Sequence, residues 1–161
     1  MGFFLFGVSA FAGVKVNEIA PVFSLMDLQG KEFNLADFVG TTKKGPGQGV
    51  ILSFFASWCM PCRNELPLIN SLTNELNRKG IKVVIINVKE NEKTIHNVLG
   101  ELKVSNPIVL SDRSGNVSEK YGVLFLPVTF FVGADGKVKS VIYGEIENEK
   151  KLKDGASKIV N

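Results

Sequence analysis

The sequence predicts an α/β fold, and three stretches carry that expectation. Residues 50–56 (Val-Ile-Leu-Ser-Phe-Phe-Ala) are apolar or small except for Ser53, short, and rich in β-branched and aromatic side chains, as in a strand buried on both faces. The pattern then changes to a helical period, with Leu66, Ile69, Leu72 and Leu76 on one face, and Gly80 ends that helix before a second buried run at 81–88. A strand, a helix and a strand in this order imply a right-handed crossover between parallel strands. Farther on, Ala134-Asp135-Gly136 separates apolar runs at 128–132 and 137–143, and Asp-Gly in that setting is a strong hairpin signal.

The remaining elements follow in order. Residues 1–13 (Met-Gly-Phe-Phe-Leu-Phe-Gly-Val-Ser-Ala-Phe-Ala-Gly) are apolar and uncharged, and Ala10-Phe11-Ala12 has the small-x-small form of a cleavage site. They read as the remnant of a signal or membrane anchor, although no basic residue precedes the run and it is shorter than a transmembrane helix; a segment packed on the body is the other reading. Over residues 15–38, the alternation of Val14, Val16, Phe23, Leu25, Phe33 and Leu35 around Gln29-Gly30 predicts a β-hairpin leading into a helical turn at 35–38. Residues 40–49 are a Gly- and Lys-rich loop without the Gly-Lys-Ser/Thr of a phosphate cradle. Ile95, Val98, Leu99 and Leu102 mark a helix covering the sheet, residues 107–110 a short strand, 117–121 a helical stretch in a turn-rich region, and Leu152, Ala156 and Ile159 a closing helix.

Composition narrows the function. A chain of 161 residues, 45% hydrophobic and 22% charged, fits a single domain over 14–161 with its own core. A net charge of +3 from scattered lysines gives no nucleic-acid footprint. Two cysteines are too few for a disulfide scaffold, so they form one local bridge or carry chemistry.

They sit where the strand gives way to the helix, as Trp58-Cys59-Met60-Pro61-Cys62. Cysteines three apart on a helix share a face and can close or open a disulfide without rebuilding the backbone. Only a thiolate attacks a disulfide, and the unpaired N–H groups at a helix start favour an anion, which makes Cys59 the candidate nucleophile and Cys62, one turn in, the resolving thiol. Pro61 suits a first helical turn and Pro67 falls deeper in the helix, where it removes a hydrogen bond.

This stretch, with Phe54-Phe55-Ala56-Ser57 before it and Pro67 after it, resembles the active site of the thioredoxin superfamily. The likeness extends to Ala20-Pro21, Phe23-Ser24-Leu25, Gly30-Lys31, Tyr121-Gly122-Val123, Pro127, Phe130 and Asp135-Gly136-Lys137, a set similar to the extracytoplasmic, membrane-tethered oxidoreductases of the TlpA and ResA type. The resemblance implies a thioredoxin-like fold with a mixed sheet, helices on both faces and an N-terminal hairpin extension. It also implies a cis bond between Leu126 and Pro127 opposite the cysteines, with substrate paired there by strand addition. Trp58, Met60, Pro61, Leu126 and Pro127 are then the substrate-binding residues, with Leu124 and Phe125 adding apolar surface. Glu65 matches a carboxylate that ResA-like proteins carry three residues after the second cysteine and would relay a proton if burial raises its pKa. Ser53 stands where cytoplasmic thioredoxin has a buried acid and cannot act as that base.

By the same resemblance the chain exchanges its dithiol with protein thiols and disulfides in the periplasm or cell envelope, as a monomer without cofactor or metal. A membrane electron donor would supply it, with apocytochrome c or other envelope thiols as targets. Two rivals remain open. A peroxiredoxin-like peroxidase needs a Thr before its cysteine, where this chain has Phe55-Ala56-Ser57-Trp58. A copper or zinc carrier needs more ligands than the pair, and the single histidine, His96, sits beside Ile95 on the outer side of a helix.

Overall fold

The computed structural model describes residues 13–160, so the signal or anchor remnant read at 1–13 lies, except for Gly13, outside the described residues. Two short strands, β1 (Ser24–Met26) and β2 (Glu32–Asn34), pair antiparallel and lead into a 3-10 turn at Leu35–Asp37. The expected hairpin is therefore present but shorter than the apolar alternation from Val14 suggests. Val16 is 46% exposed, because turn chemistry takes over before the ladder begins. Asn17 adopts a left-handed φ of 72°, and the Lys15 amide donates to Glu18 Oε2 at 2.8 Å.

The central sheet contains β3 (Gly49–Phe55), β4 (Ile81–Val88), β5 (Ile108–Asp112), β6 (Val128–Gly133) and β7 (Val138–Tyr143), in the order β5-β4-β3-β6-β7. β3 runs parallel to β4 and antiparallel to β6, which makes the sheet mixed. Helix α1 (Met60–Arg78) supplies the crossover, α2 (Glu92–Leu102) joins β4 to β5, α3 (Asn116–Lys120) follows β5, and α4 (Glu149–Ser157) closes the fold. Gly80, at φ 81°, provides the left-handed residue that stops α1 and releases the chain into β4.

The alternation of side chains along β3 divides the core in two. Ile51 and Phe55 join Leu66 and Ile69 of α1, Ile95 of α2 and Leu152 of α4 on one face. Val50, Leu52 and Phe54 join Phe23 and Phe33 of the hairpin, Leu35, and Val117 and Tyr121 around α3 on the other. Both faces of β3 are thus covered, which is why its sequence lacks the polar alternation of a half-exposed strand. On the second face the Tyr121 ring meets Phe130 edge-on at 5.0 Å, and its hydroxyl donates to the Pro21 carbonyl at 2.8 Å. The strand expected at 107–110 continues to Asp112, whose buried carboxylate accepts from the amides of Val117 (3.2 Å) and Ser118 (2.8 Å) and holds the start of α3.

Candidate active site

The site is built at one end of the sheet by the register itself. Phe54 of β3 lies opposite Val128 of β6, so the turn leaving β3 and the residue preceding β6 emerge side by side. The turn carries the cysteines and the other residue is Pro127, joined to Leu126 by a cis bond, as expected.

Cys59 is the N-cap of α1, with extended backbone (φ −85°, ψ 105°), and its amide donates to the Ala56 carbonyl at 3.2 Å. Its Sγ accepts from the Cys62 amide at 3.2 Å, so the sulfur stands over the unpaired donors of the helix start. Cys59 and Cys62 are joined as a disulfide with their Cα atoms 5.2 Å apart. Both are buried, Cys59 at 4% and Cys62 at 0% exposure, so the two differ in their place on the helix more than in their access to solvent. Pro61 is exposed in the first turn, where its missing N–H leaves no bond unmade.

Glu65 lies one turn beyond Cys62 on the same face of α1 and is 1% exposed. Its Oε1 accepts from the Ser53 hydroxyl at 3.1 Å, and its Oε2 accepts from the Ile146 amide at 2.7 Å. Ser53 in turn accepts from Thr129 Oγ1 at 3.1 Å, so the polar residues of β3 and β6 form a chain ending on the carboxyl group. Burial pushes the Glu65 pKa from its ordinary 4.5 up to about 7, against the two hydrogen bonds, which pull it down. A carboxyl group raised toward neutrality meets the pKa condition that a proton relay would need. The Ile146 amide is invisible in sequence, and Ser53 reads there only as a missing acid.

Around the cysteines the surface is apolar and open. Trp58 is 74%, Met60 63%, Leu124 90% and Phe125 55% exposed, while Leu126 is half-buried between the two core clusters. Tyr143, which the sequence presents only as the last residue of a strand, is 62% exposed and stands 6.1 Å from the Phe125 ring between centroids. The five sequence-predicted substrate-binding residues therefore lie at the same end of the sheet, Trp58 in the turn after β3, Met60 and Pro61 in the first turn of α1, and Leu126 and the buried Pro127 in the loop before β6, with Tyr143 added by β7. His96 is exposed on α2, and among the described residues no group of three His, Cys, Asp or Glu side chains is placed to hold a metal ion.

The profile of the AhpC/TSA family matches residues 16–141. The chain is 32% identical over 146 residues to the thiol-disulfide oxidoreductase ResA of Bacillus thuringiensis subsp. konkukian, covering 91% of this chain and 79% of that protein. It is 36% identical over 136 residues to ResA of Geobacillus thermodenitrificans, covering 84% and 74% of the two chains. Among solved structures, the putative thiol:disulfide interchange protein DsbE of Chlorobium tepidum superposes with a TM-score of 0.79 at 26% identity, over 92% of this chain and all of that one. A cysteine pair capping the helix after the central strand, a buried carboxyl group behind it and these relationships lead to one assignment: the chain belongs to the AhpC/TSA family of the thioredoxin superfamily and is a thiol-disulfide oxidoreductase related to ResA.

Proposed function

We propose that the chain is a reductant of protein disulfides in the periplasm or cell envelope, with Cys59 as nucleophile, Cys62 as resolving thiol and Glu65 as proton relay. The observation that carries this reading is the placement of Glu65: buried behind the cysteines, hydrogen-bonded from Ser53 and Ile146, and raised by burial to about 7. In the reduced protein the Cys59 thiolate attacks one sulfur of a substrate disulfide, forming a mixed disulfide and expelling the other substrate sulfur as a thiolate. Glu65 takes the proton of Cys62, whose thiolate attacks Cys59 Sγ and expels the second substrate sulfur. The Glu65 proton then passes to one departing thiolate, and the other takes from water the proton that Cys59 released on ionising. Two electrons move to the substrate, which leaves as a dithiol, and the protein is left with Cys59 and Cys62 bonded.

Trp58, Met60, Pro61, Leu126 and Pro127 receive the extended substrate segment, with Leu124 and Phe125 as its apolar floor. A membrane electron donor returns the pair to the dithiol, residues 1–13 tether or once directed the chain to the envelope, and the domain works as a monomer. Apocytochrome c and other envelope thiols are the substrate class. The test is a glutathione redox titration. Superfamily potentials run from about −270 mV for thioredoxin to about −120 mV for a strong oxidant. A value near the reducing end supports the reading, and one near the oxidant end removes it. Cys62→Ser in the native host accumulates mixed disulfides on Cys59, and mass spectrometry of those adducts names the substrates.

A further inference from the structure

We infer that Glu90 is a positioning residue for the nucleophile: its carboxylate brackets Ser57 and thereby sets the turn that places Cys59 Sγ over the start of α1. Glu90 lies in the loop after β4, thirty-three residues from Ser57, and nothing in the local sequence pattern marks it. Its Oε2 accepts from the Ser57 amide at 2.8 Å, and its Oε1 accepts from the Ser57 hydroxyl. One side chain therefore takes both donors of the residue where the chain leaves β3.

The carboxylate is itself held. Asn87, fully buried in β4, donates through Nδ2 to Glu90 Oε2 at 2.7 Å and accepts the Glu90 amide on Oδ1 at 3.3 Å. Lys89, between Asn87 and Glu90, adopts the left-handed region at φ 62°, uncommon for a side-chain-bearing residue, with its amide bound to the Asp112 carbonyl at 3.0 Å. The loop accepts that conformation at the residue that turns Glu90 toward Ser57. From the other side the Ser57 carbonyl accepts from Arg63 Nη1 at 3.4 Å, and Arg63 Nη2 is paired with Glu101 Oε2 at 2.7 Å. Ser57 is thus gripped on its amide, hydroxyl and carbonyl, two residues before the nucleophile, while Trp58 between them is left 74% exposed. The turn so fixed gives Cys59 the extended backbone from which its sulfur accepts the Cys62 amide.

Freeing Ser57 lets that turn relax, and the Cys59 thiolate loses helix-start donors that stabilise it. Glutamine at position 90 is a neutral isostere: its oxygen accepts from the Ser57 amide and Asn87, and its amino group donates to the Ser57 hydroxyl oxygen. Positioning and charge are therefore separable.

The inference rests on Cys59 being the nucleophile, and the experiment separates the two. In the reduced full-length protein, the pH dependence of Cys59 alkylation by iodoacetamide is followed by peptide mass spectrometry, with thermal melting as the control for folding. Glu90→Ala moves the midpoint up by about one unit and lowers the rate below the midpoint about threefold, the loss of thiolate being partly offset by its greater nucleophilicity. Glu90→Gln leaves both at wild-type values. Ser57→Ala, which keeps the backbone bond and removes only the hydroxyl bond, shifts the midpoint less in the same direction. Combined with Glu90→Ala it adds nothing further, because both act through one bracket.

An unchanged midpoint in Glu90→Ala overturns the proposal, and so does a Glu90→Gln shift as large as that of Glu90→Ala, which assigns the effect to charge. If Glu90→Ala does not fold, a wild-type midpoint in Ser57→Ala overturns it. Retention of disulfide exchange by Cys59→Ser removes the underlying reading and the bracket's catalytic purpose together. An unchanged Glu90→Ala removes the bracket alone.

Discussion

At Glu65 the burial that suits the proposed proton relay also acts on stability. In the unfolded chain its carboxyl group titrates near 4.5, and in the fold near 7 because water is excluded. Between those values the folded state holds a proton that the unfolded state has released, so stability falls as pH rises from about 4.5 to about 7 and the penalty is complete above that. Glu65→Gln removes it. The variant should match the wild type at pH 4 and exceed it by up to about 3 kcal/mol at pH 8 in urea denaturation. The same change should slow closure of the Cys59 mixed disulfide about a hundredfold and flatten its pH profile around 7, followed through the single tryptophan, Trp58. The position of Glu65, three residues past Cys62, is legible in the sequence. Its partners are not, since Ser53 comes from the preceding strand and Ile146 from a loop eighty-one residues away, and neither contact leaves a periodic trace.

Among the elements, helix α4 shows how packing overrides a weak local signal. Gly155 lowers its intrinsic helix propensity, yet a Cβ there would run into the Phe131 ring of β6, so the glycine is the price of bringing α4 onto the sheet. Gly155→Ala should cost about 1–3 kcal/mol in thermal or urea unfolding despite its higher propensity, the opposite of the usual gain from glycine to alanine in a helix. The loop before β6 behaves differently, because Leu124 and Phe125 are exposed. Replacing either with Ser should change stability by less than about 0.5 kcal/mol while raising KM for a protein disulfide and leaving reduction of a small aromatic disulfide unchanged. The regular elements were legible because their apolar periods are long and bounded by Gly80 and Asp135-Gly136. The stretch around Val16 alternates without joining a strand, because turn chemistry at Asn17 outweighs two apolar side chains in alternation.

For the whole molecule, the hairpin at β1 and β2 is part of the core rather than an attachment. Phe23 and Phe33 are buried against the face of β3 that α1 does not cover, and Tyr121 ties that layer to Pro21. Phe23→Ala should therefore cost about 3–5 kcal/mol in a single cooperative urea transition. A biphasic transition, with the hairpin lost first, would show the two layers to be energetically separate. The two-sided burial of β3 was readable in residues 50–56, but which segments cover each face depends on contacts between distant parts of the chain. The antiparallel pairing of β3 with β6 also gives the molecule a working end and a tolerant end. Phe54 faces Val128 beside the cysteines, whereas Gly49 faces Gly133 at the far end, next to the loop at 40–48. A protein engineer has there a natural port: a tag or a fused binding module spliced into that loop keeps clear of the cysteine pair by the full length of the strand, so the exchange reaction can be carried to a chosen target without rebuilding its chemistry.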